Sequence, residues 1–149
     1  MKRFFRLESI LSVPMLMVLL AMLLGPMLAS VGPRLDGYFN PVMGLAEIDL
    51  VEFSGGSSTI VSAEAEKRRN CKWLRTEWYL GALNGSAAKV FARHRDKPQV
   101  RLTGVLRWDE IEIGLSWKQI QSNSYALVYH DCYNGWLWKT RSVFFNSAG

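Results

Sequence analysis

The chain has 149 residues, 49% of them hydrophobic and 21% charged, which leaves room for one ordinary domain and excludes a disordered chain. Its formal net charge is +5, but four of the 18 basic residues (Lys2, Arg3, Arg6 and Arg34) flank one apolar stretch together with a single acid, Glu8. The remainder holds 14 basic against 12 acidic residues. That balance is weak evidence for the concentrated basic face that nucleic acid demands, so no nucleic-acid partner is expected.

The apolar stretch, residues 10–31, reads ILSVPMLMVLLAMLLGPMLASV. As a helix its about 22 residues cover roughly 33 Å, enough to cross the hydrocarbon core of a bilayer. Lys2, Arg3 and Arg6 precede it. The positive-inside rule then makes residues 1–9 a cytoplasmic basic tail and sends everything after residue 31 across the membrane. A cleaved signal peptide is the rival reading: Pro26 would break the helix and leave an apolar run of about 15 residues, the size of a signal h-region. The candidate cleavage points lack the small-x-small pattern, because Met27, Leu28 or Pro33 intrudes at each. The expectation is an uncleaved, single-pass signal-anchor in the inner (plasma) membrane, with the bilayer as its partner. Both readings export the rest of the chain to the periplasm or the extracellular side.

Residues 32–44, GPRLDGYFNPVMG, hold three glycines and two prolines and read as a linker leaving the membrane. Tyr38 and Phe39 either sit at the headgroup level, which aromatic rings favour, or pack within the linker. From Leu45 the pattern alternates as strands do. AEIDLVEF sets Ile48 and Leu50 against Glu47 and Asp49. SGGSS is a turn, and TIVSAEAEK turns Val61, Ala63 and Ala65 inward and Ser62, Glu64 and Glu66 outward. CKWLRTEWYL follows, then the hairpin signal Asn84-Gly85, AKVFARHR and a DKP turn. VRLTGVLRW, EIEIGLSW, SYALVYHD and LWKTRSVFF complete the series. These make about seven or eight short strands, with no long helical period outside the anchor. The expected fold is all-β, an antiparallel β-sandwich over residues 45–149 preceded by one transmembrane helix.

Cys71 and Cys132 are the only cysteines, in different predicted strands of the exported part. An even count in an oxidising compartment favours a disulfide. The bond would close a loop of about 62 residues, worth roughly 4 kcal/mol in the chain-entropy model. The rival is a reactive site in HDCYNGWLWK, residues 130–139, with His130 as base, Asp131 as orienter and Cys132 as nucleophile. A thiol enzyme needs its base brought from elsewhere in the fold, and an oxyanion hole. The one other histidine, His94, lies in RHRDK, which reads as a solvated hairpin end. Two Cys and two His at these spacings match no zinc pattern. A Cys71–Cys132 disulfide is expected, with no metal, no cofactor and no catalytic residue.

One cysteine early, one late and strands between resembles an immunoglobulin- or fibronectin-III-like sandwich. Tyr129 stands three residues before Cys132 where the tyrosine corner wants two, and no Trp follows Cys71 at the immunoglobulin spacing, Trp73 and Trp78 being nearer. More narrowly, SAEAEKRRNCKW and ALVYHDCYNGWLWKTRSVFF resemble a group of small uncharacterised membrane-anchored β-domain proteins of phages and proteobacteria. The matching residues are Lys67, Arg69, Cys71, His130, Cys132, Trp136 or Trp138, Thr140 and Arg141. The resemblance implies fold and location and brings no activity.

Three further features have two readings each. Trp136 and Trp138 share one face of a predicted strand, with Lys139 and Arg141 on the other; with Arg141 they are the candidate binding face for a glycan or a protein, or else they pack near the disulfide. Asn84-Gly85-Ser86 fits a glycosylation sequon, although the hairpin already explains it. Asp109, Glu110 and Glu112 are a paired-carboxylate candidate, yet their alternation with Ile111 and Ile113 is what a half-buried strand demands. Together these readings point to a membrane-tethered periplasmic interaction or adaptor module, a non-enzymatic accessory protein of the envelope or of a phage, with an envelope protein as partner. The alternatives are a small envelope hydrolase using His130 or the acidic cluster, and a lysis or superinfection factor acting through the span.

Overall fold

The computed structural model describes residues 5–54, 58–95, 103–132 and 139–148. A long helix, α1 (Phe5–Phe39), opens the chain and runs through Pro14, Pro26 and Pro33. Leu, Met and Ala, all strong helix formers, dominate its middle. A proline inside a helix removes one backbone bond, which an apolar helix of this length tolerates, so Pro26 does not end the segment as the signal-peptide reading required. Across Val13–Phe39 the mean hydropathy reaches 2.2, and only 6% of that most apolar window is buried. The helix is long and apolar enough to span a membrane, and the protein's own core does not absorb its surface. It ends where the Asn40 amide donates to the Asp36 carbonyl at 2.9 Å, just before Pro41, whose ring and missing N–H oppose continuation.

Residues 32–44 are therefore not the linker that their glycines and prolines predicted. Residues 32–39 are helical, and residues 41–46 form a strap held on both sides. Met43 makes an antiparallel bridge to Lys67, the Gly44 amide donates to the Glu66 carbonyl at 2.8 Å, and the Ala46 amide donates to the Phe144 carbonyl at 2.6 Å.

The strands are β1 (Glu47–Ser54), β2 (Ser58–Lys67), β3 (Lys72–Gly81), β4 (Ala87–Val90), β5 (Ala92–His94), β6 (Gly104–Ile113), β7 (Ser124–Asp131) and β8 (Thr140–Asn146), with a short helix, α2 (Trp117–Asn123), before β7. They form two antiparallel four-stranded sheets, ordered β1-β2-β6-β5 and β4-β3-β7-β8. The predicted alternation of β2 holds: Val61, Ala63 and Ala65 are buried, while Glu64 and Glu66 are exposed. VRLTGVLRW and EIEIGLSW were expected to be two strands. They supply one, β6, and the end of the second segment opens α2. Ser116 caps that helix, accepting from the Gln119 amide while the Gln119 side chain accepts from the Ser116 amide, a capping box that stops the strand pattern locally. AKVFARHR likewise splits at Phe91, with β4 in one sheet and β5 in the other. The middle of SGGSS, the DKP turn, Trp136 and Trp138 lie outside the described residues.

The inner faces of the two sheets bury against one another. Val61, Ala63, Ile111 and Ile113 of the first sheet cluster with Trp78, Ala126, Val128 and Phe144 of the second. Trp108 meets Phe144 edge-on at 5.4 Å across the interface, and Ile120 of α2, fully buried, joins the same cluster. A smaller cluster of Val42, Cys71 and Cys132 lies under the strap. There Cys71 and Cys132 form a disulfide with a Cα–Cα distance of 4.5 Å, one residue beyond the paired Lys72 and Asp131. It joins adjacent strands of one sheet rather than the two sheets.

Alkylation of the native full chain without reductant should label neither cysteine. Cys71→Ser and Cys132→Ser should each lower stability by about 2–4 kcal/mol, and the double variant should cost little more than either, because one bond is lost in all three. Full labelling of the native protein would refute the pairing.

Candidate functional site

The best-built polar constellation outside the core is the place where α1 meets β8. Along the chain from Asp36 to Ala46, contacts advance along β8 from Thr140 to Phe144. The Thr140 hydroxyl donates to the Asp36 carboxylate. A side chain at Gly37 would run into the Arg141 carbonyl. The Val42 amide donates to the Ser142 hydroxyl at 3.3 Å, and the Ala46 amide reaches Phe144. Glycine at 37 is required by this close approach rather than by an unusual φ.

Arg69, in the loop between β2 and β3, locks the helix end. Its guanidinium lies 3.3 Å from the Asp36 carboxylate and donates to the Asn40 carbonyl at 2.7 Å. No basic residue lies in the last turn of α1 itself. The cation that the negative end of a helix favours therefore comes from the neighbouring loop. Lys67, 2% exposed, donates to the Cys71 carbonyl at 2.6 Å, and burial lowers its pKa. His130, fully buried, is pushed down to about 4 by burial first, then by the positive charges of Lys67 and Arg69. It is a neutral imidazole at physiological pH.

The histidines do not form a reactive site with Cys132. That sulfur is in the disulfide, and His130 faces the interior opposite Trp73. His94 is not a solvated hairpin end: its ring nitrogens are buried without a hydrogen-bond partner among the described residues. The ring meets Trp73 edge-on at 5.7 Å, and burial holds its pKa at about 4. Among the described residues no group of three or more His, Cys, Asp or Glu stands where it could hold a metal ion. In the acidic cluster, Glu110 pairs with Arg95 at 3.0 Å and Asp109 with Arg107 at 3.3 Å, while Ile111 and Ile113 are buried in the core.

The outer face of the β4-β3-β7-β8 sheet carries a second polar group, which sequence reading missed. Glu77 accepts from Lys89 at 2.6 Å and from the Tyr79 hydroxyl at 2.8 Å, and Arg75 pairs with it at 3.1 Å. Burial raises the Glu77 pKa, but hydrogen bonds from Lys89, Tyr79 and Tyr129 and the Lys89 charge outweigh it and hold the carboxyl at about 2. Burial and the Glu77 carboxylate raise the Tyr79 phenol. Tyr79 stacks on Tyr125 at 4.9 Å, and Arg75 lies 4.3 Å over the Tyr129 ring. Alternation of Arg75, Glu77 and Tyr79 was the available signal. Beside this face a groove of about 650 Å³ opens against α1, lined by Arg34, Leu35 and Tyr38 of the helix and by Leu127, Arg141 and Val143 of the sheet. Arg141 of the predicted binding face thus has a described place. No protein-family model, curated protein or solved structure matches the chain.

Two predictions follow from these environments. His130 and Glu77 both have depressed pKa values, so the unfolded chain binds more protons than the folded one. The stability His130 lends is complete above pH 6.5 and is lost as pH falls to about 4, with His94 adding to the same window. For Glu77 the window runs from 4.5 down to about 2. Each step is worth roughly 3 kcal/mol at most, reduced by solvent screening. Chemical denaturation of the full chain in detergent across pH 2–8 checks this. His130→Gln should reduce the drop in the upper window, His94 supplying what remains, and Glu77→Gln should flatten the lower; a wild-type profile flat from pH 7 to 4 contradicts it.

The second concerns packing. Gly37→Val should lift the helix end from β8 and open residues 36–46 to protease. Gly25→Val should not, because nothing lies within 4 Å of a side chain there. Equal protease resistance of the two variants would show that the close approach at Gly37 is absent.

Proposed function

We propose that the chain is a single-pass, N-in membrane protein that presents an immunoglobulin-like sandwich on the periplasmic or extracellular side, as a non-enzymatic interaction or adaptor module of the envelope, bacterial or phage-encoded. Lys2, Arg3 and Arg6 before the apolar helix support the orientation. The disulfide supports an oxidising compartment. The strand order supports the sandwich: β1-β2-β6-β5 opposite β4-β3-β7-β8 follows the ABED and C′CFG pattern of immunoglobulin domains, and Trp78 on the third strand is buried at the centre of the core. The disulfide departs from that pattern, since it links β3 and β7 within one sheet.

The observation that carries the functional reading is the fixed mounting of the domain. A flexible tether lets a domain sample many orientations. Here Asp36, Gly37, Val42 and Ala46 hold the domain in one attitude to the helix. Such a mount raises the local concentration of one chosen face for a neighbour in the same membrane. Val51, Phe53, Phe91 and Val105 are apolar and exposed on the domain, so partner contact has apolar anchors to use.

A reporter active only outside the cytoplasm, fused after Gly149, should be active, and activity only from a cytoplasmic reporter would overturn the orientation. Photo-crosslinking residues placed at Phe53, Phe91 or Val105 in intact cells should give a discrete adduct with an envelope protein from at least one position. His130→Gln should cost about 1–3 kcal/mol of stability without removing that adduct. A stably folded His130→Gln variant that loses a measurable turnover would instead establish the hydrolase alternative.

A further inference from the structure

We infer that the groove between α1 and the outer face of the β4-β3-β7-β8 sheet binds the phosphate-bearing headgroup of an anionic glycerophospholipid, with Arg34 and Arg141 as the phosphate contacts. This inference rests on the reading of α1 as a membrane span. Charge pairing supplies the first argument. Arg68, Arg69, Arg75, Arg95 and Arg107 each pair with a carboxylate. Among the arginines whose side chains are described, Arg34, Arg93 and Arg141 have no carboxylate partner, and two of those three line this one groove. Two arginines line one concavity whose described lining holds no carboxylate, and that charge balance favours an anion. Guanidinium matches phosphate oxygens in geometry as well as charge.

Position supplies the second argument. Arg34 follows the last apolar residue of the stretch, Val31, by three positions, or about 4.5 Å of helix, and Tyr38 lies one turn further on. The headgroup layer occupies roughly 5–7 Å beyond the hydrocarbon core, so the mouth of the groove stands where lipid phosphates lie. The mounting of the helix on β8 fixes that depth. Tyr38 and Phe39 are 80% and 77% exposed and meet edge-on at 5.2 Å, as aromatic side chains do at a membrane interface.

Groove chemistry supplies the third argument. Leu35 on the helix side and Leu127 and Val143 on the sheet side are apolar, while Asn84 at the β3–β4 turn adds an amide. An apolar floor with two cations, one amide and the two tyrosines Tyr38 and Tyr125 suits the glycerol and first acyl carbons of a lipid below its phosphate, with a hydroxylated headgroup at the amide. A zwitterionic headgroup brings an ammonium cation next to Arg34 and Arg141 and is disfavoured. An acidic juxtamembrane segment of another protein would use the same charges, and its capture in place of lipid is one outcome of the test.

The test uses the full chain reconstituted into nanodiscs containing equal amounts of phosphatidylglycerol and phosphatidylcholine, followed by mild extraction and native mass spectrometry of the retained lipid. Phosphatidylglycerol should be enriched on the wild-type protein. Each arginine contributes about fivefold, so Arg34→Gln and Arg141→Gln should each reduce the enrichment by that factor, and the double variant should approach parity. Arg93→Gln, an unpaired arginine outside the groove, should leave it unchanged. Millimolar inorganic phosphate should not displace the lipid. Complete displacement would reassign the groove to a soluble phosphate and overturn the lipid commitment. Retention of a co-purifying acidic protein in place of lipid, lost in the same variants, would overturn it too. Flotation of the protein with liposomes after carbonate washing separates the levels of the argument. No flotation overturns the membrane reading together with this one, whereas flotation without lipid preference overturns this one alone. The double variant must keep both cysteines protected from alkylation, which shows that the domain is folded.

Discussion

A strand at the edge of a sheet offers unpaired backbone groups along one side, and β8 is such a strand. The chain that arrives from the apolar helix covers it: Asp36 at Thr140, Gly37 at Arg141, Val42 at Ser142 and Ala46 at Phe144. Much else depends on this. The same strap continues to β2 through Met43 and Gly44, so it joins both sheets along one side of the core. It shields the Cys71–Cys132 bond together with Val42. It brings α1 close enough to the outer face of the sheet to enclose a groove. Edge protection and the mounting of the domain on α1 are therefore one device, built from a segment that also places Met43 and Ala46 in the main core. The edge strand of the other sheet, β1, is blunted by other means, a bulge between Leu50 and Glu52 and the acidic side chains Glu47, Asp49 and Glu52.

The electrostatics of the junction follow from burial. Arg69 is brought to the end of α1, where backbone carbonyls lack intrahelical partners, and Lys67 is buried two residues before it. Lys67 is satisfied by the Cys71 carbonyl and Arg69 by the Asn40 carbonyl and the Asp36 carboxylate. With two cations in place, a third would be costly, and His130 stays neutral. On the outer face the order is reversed: one carboxylate, Glu77, gathers Arg75, Lys89 and the Tyr79 hydroxyl and remains ionised far below its ordinary range. The two clusters limit the pH range of the fold from different sides of the same sheet.

Much of the β architecture was legible because alternation is a local signal. Val61, Ala63 and Ala65 announced the inner face of β2, Asn84-Gly85 the hairpin between β3 and β4, and SYALVYHD coincides with β7. Residues 32–44 misled because glycine and proline mark loops on average, while here Gly37 serves a close helix–strand contact and Pro33 sits inside a helix. The helix α2 was hidden by the Ile residues before it, although Ser116 and Gln119 carried its capping signature. His94 looked solvated because its neighbours Arg93 and Arg95 are charged, yet alternation turns it inward towards Trp73. The groove was the least legible feature, since Arg34, Leu127 and Arg141 are far apart in sequence and only tertiary packing brings them together.

The central claim is that the domain is held rigidly on its apolar helix. Spin labels on cysteines introduced by Leu28→Cys in α1 and Val105→Cys in β6, both exposed positions, report it directly through their distance distribution in nanodiscs. The account predicts a single narrow distribution. A free linker of about 13 residues would spread the two parts over roughly 20 Å, and a distribution of that breadth would contradict it.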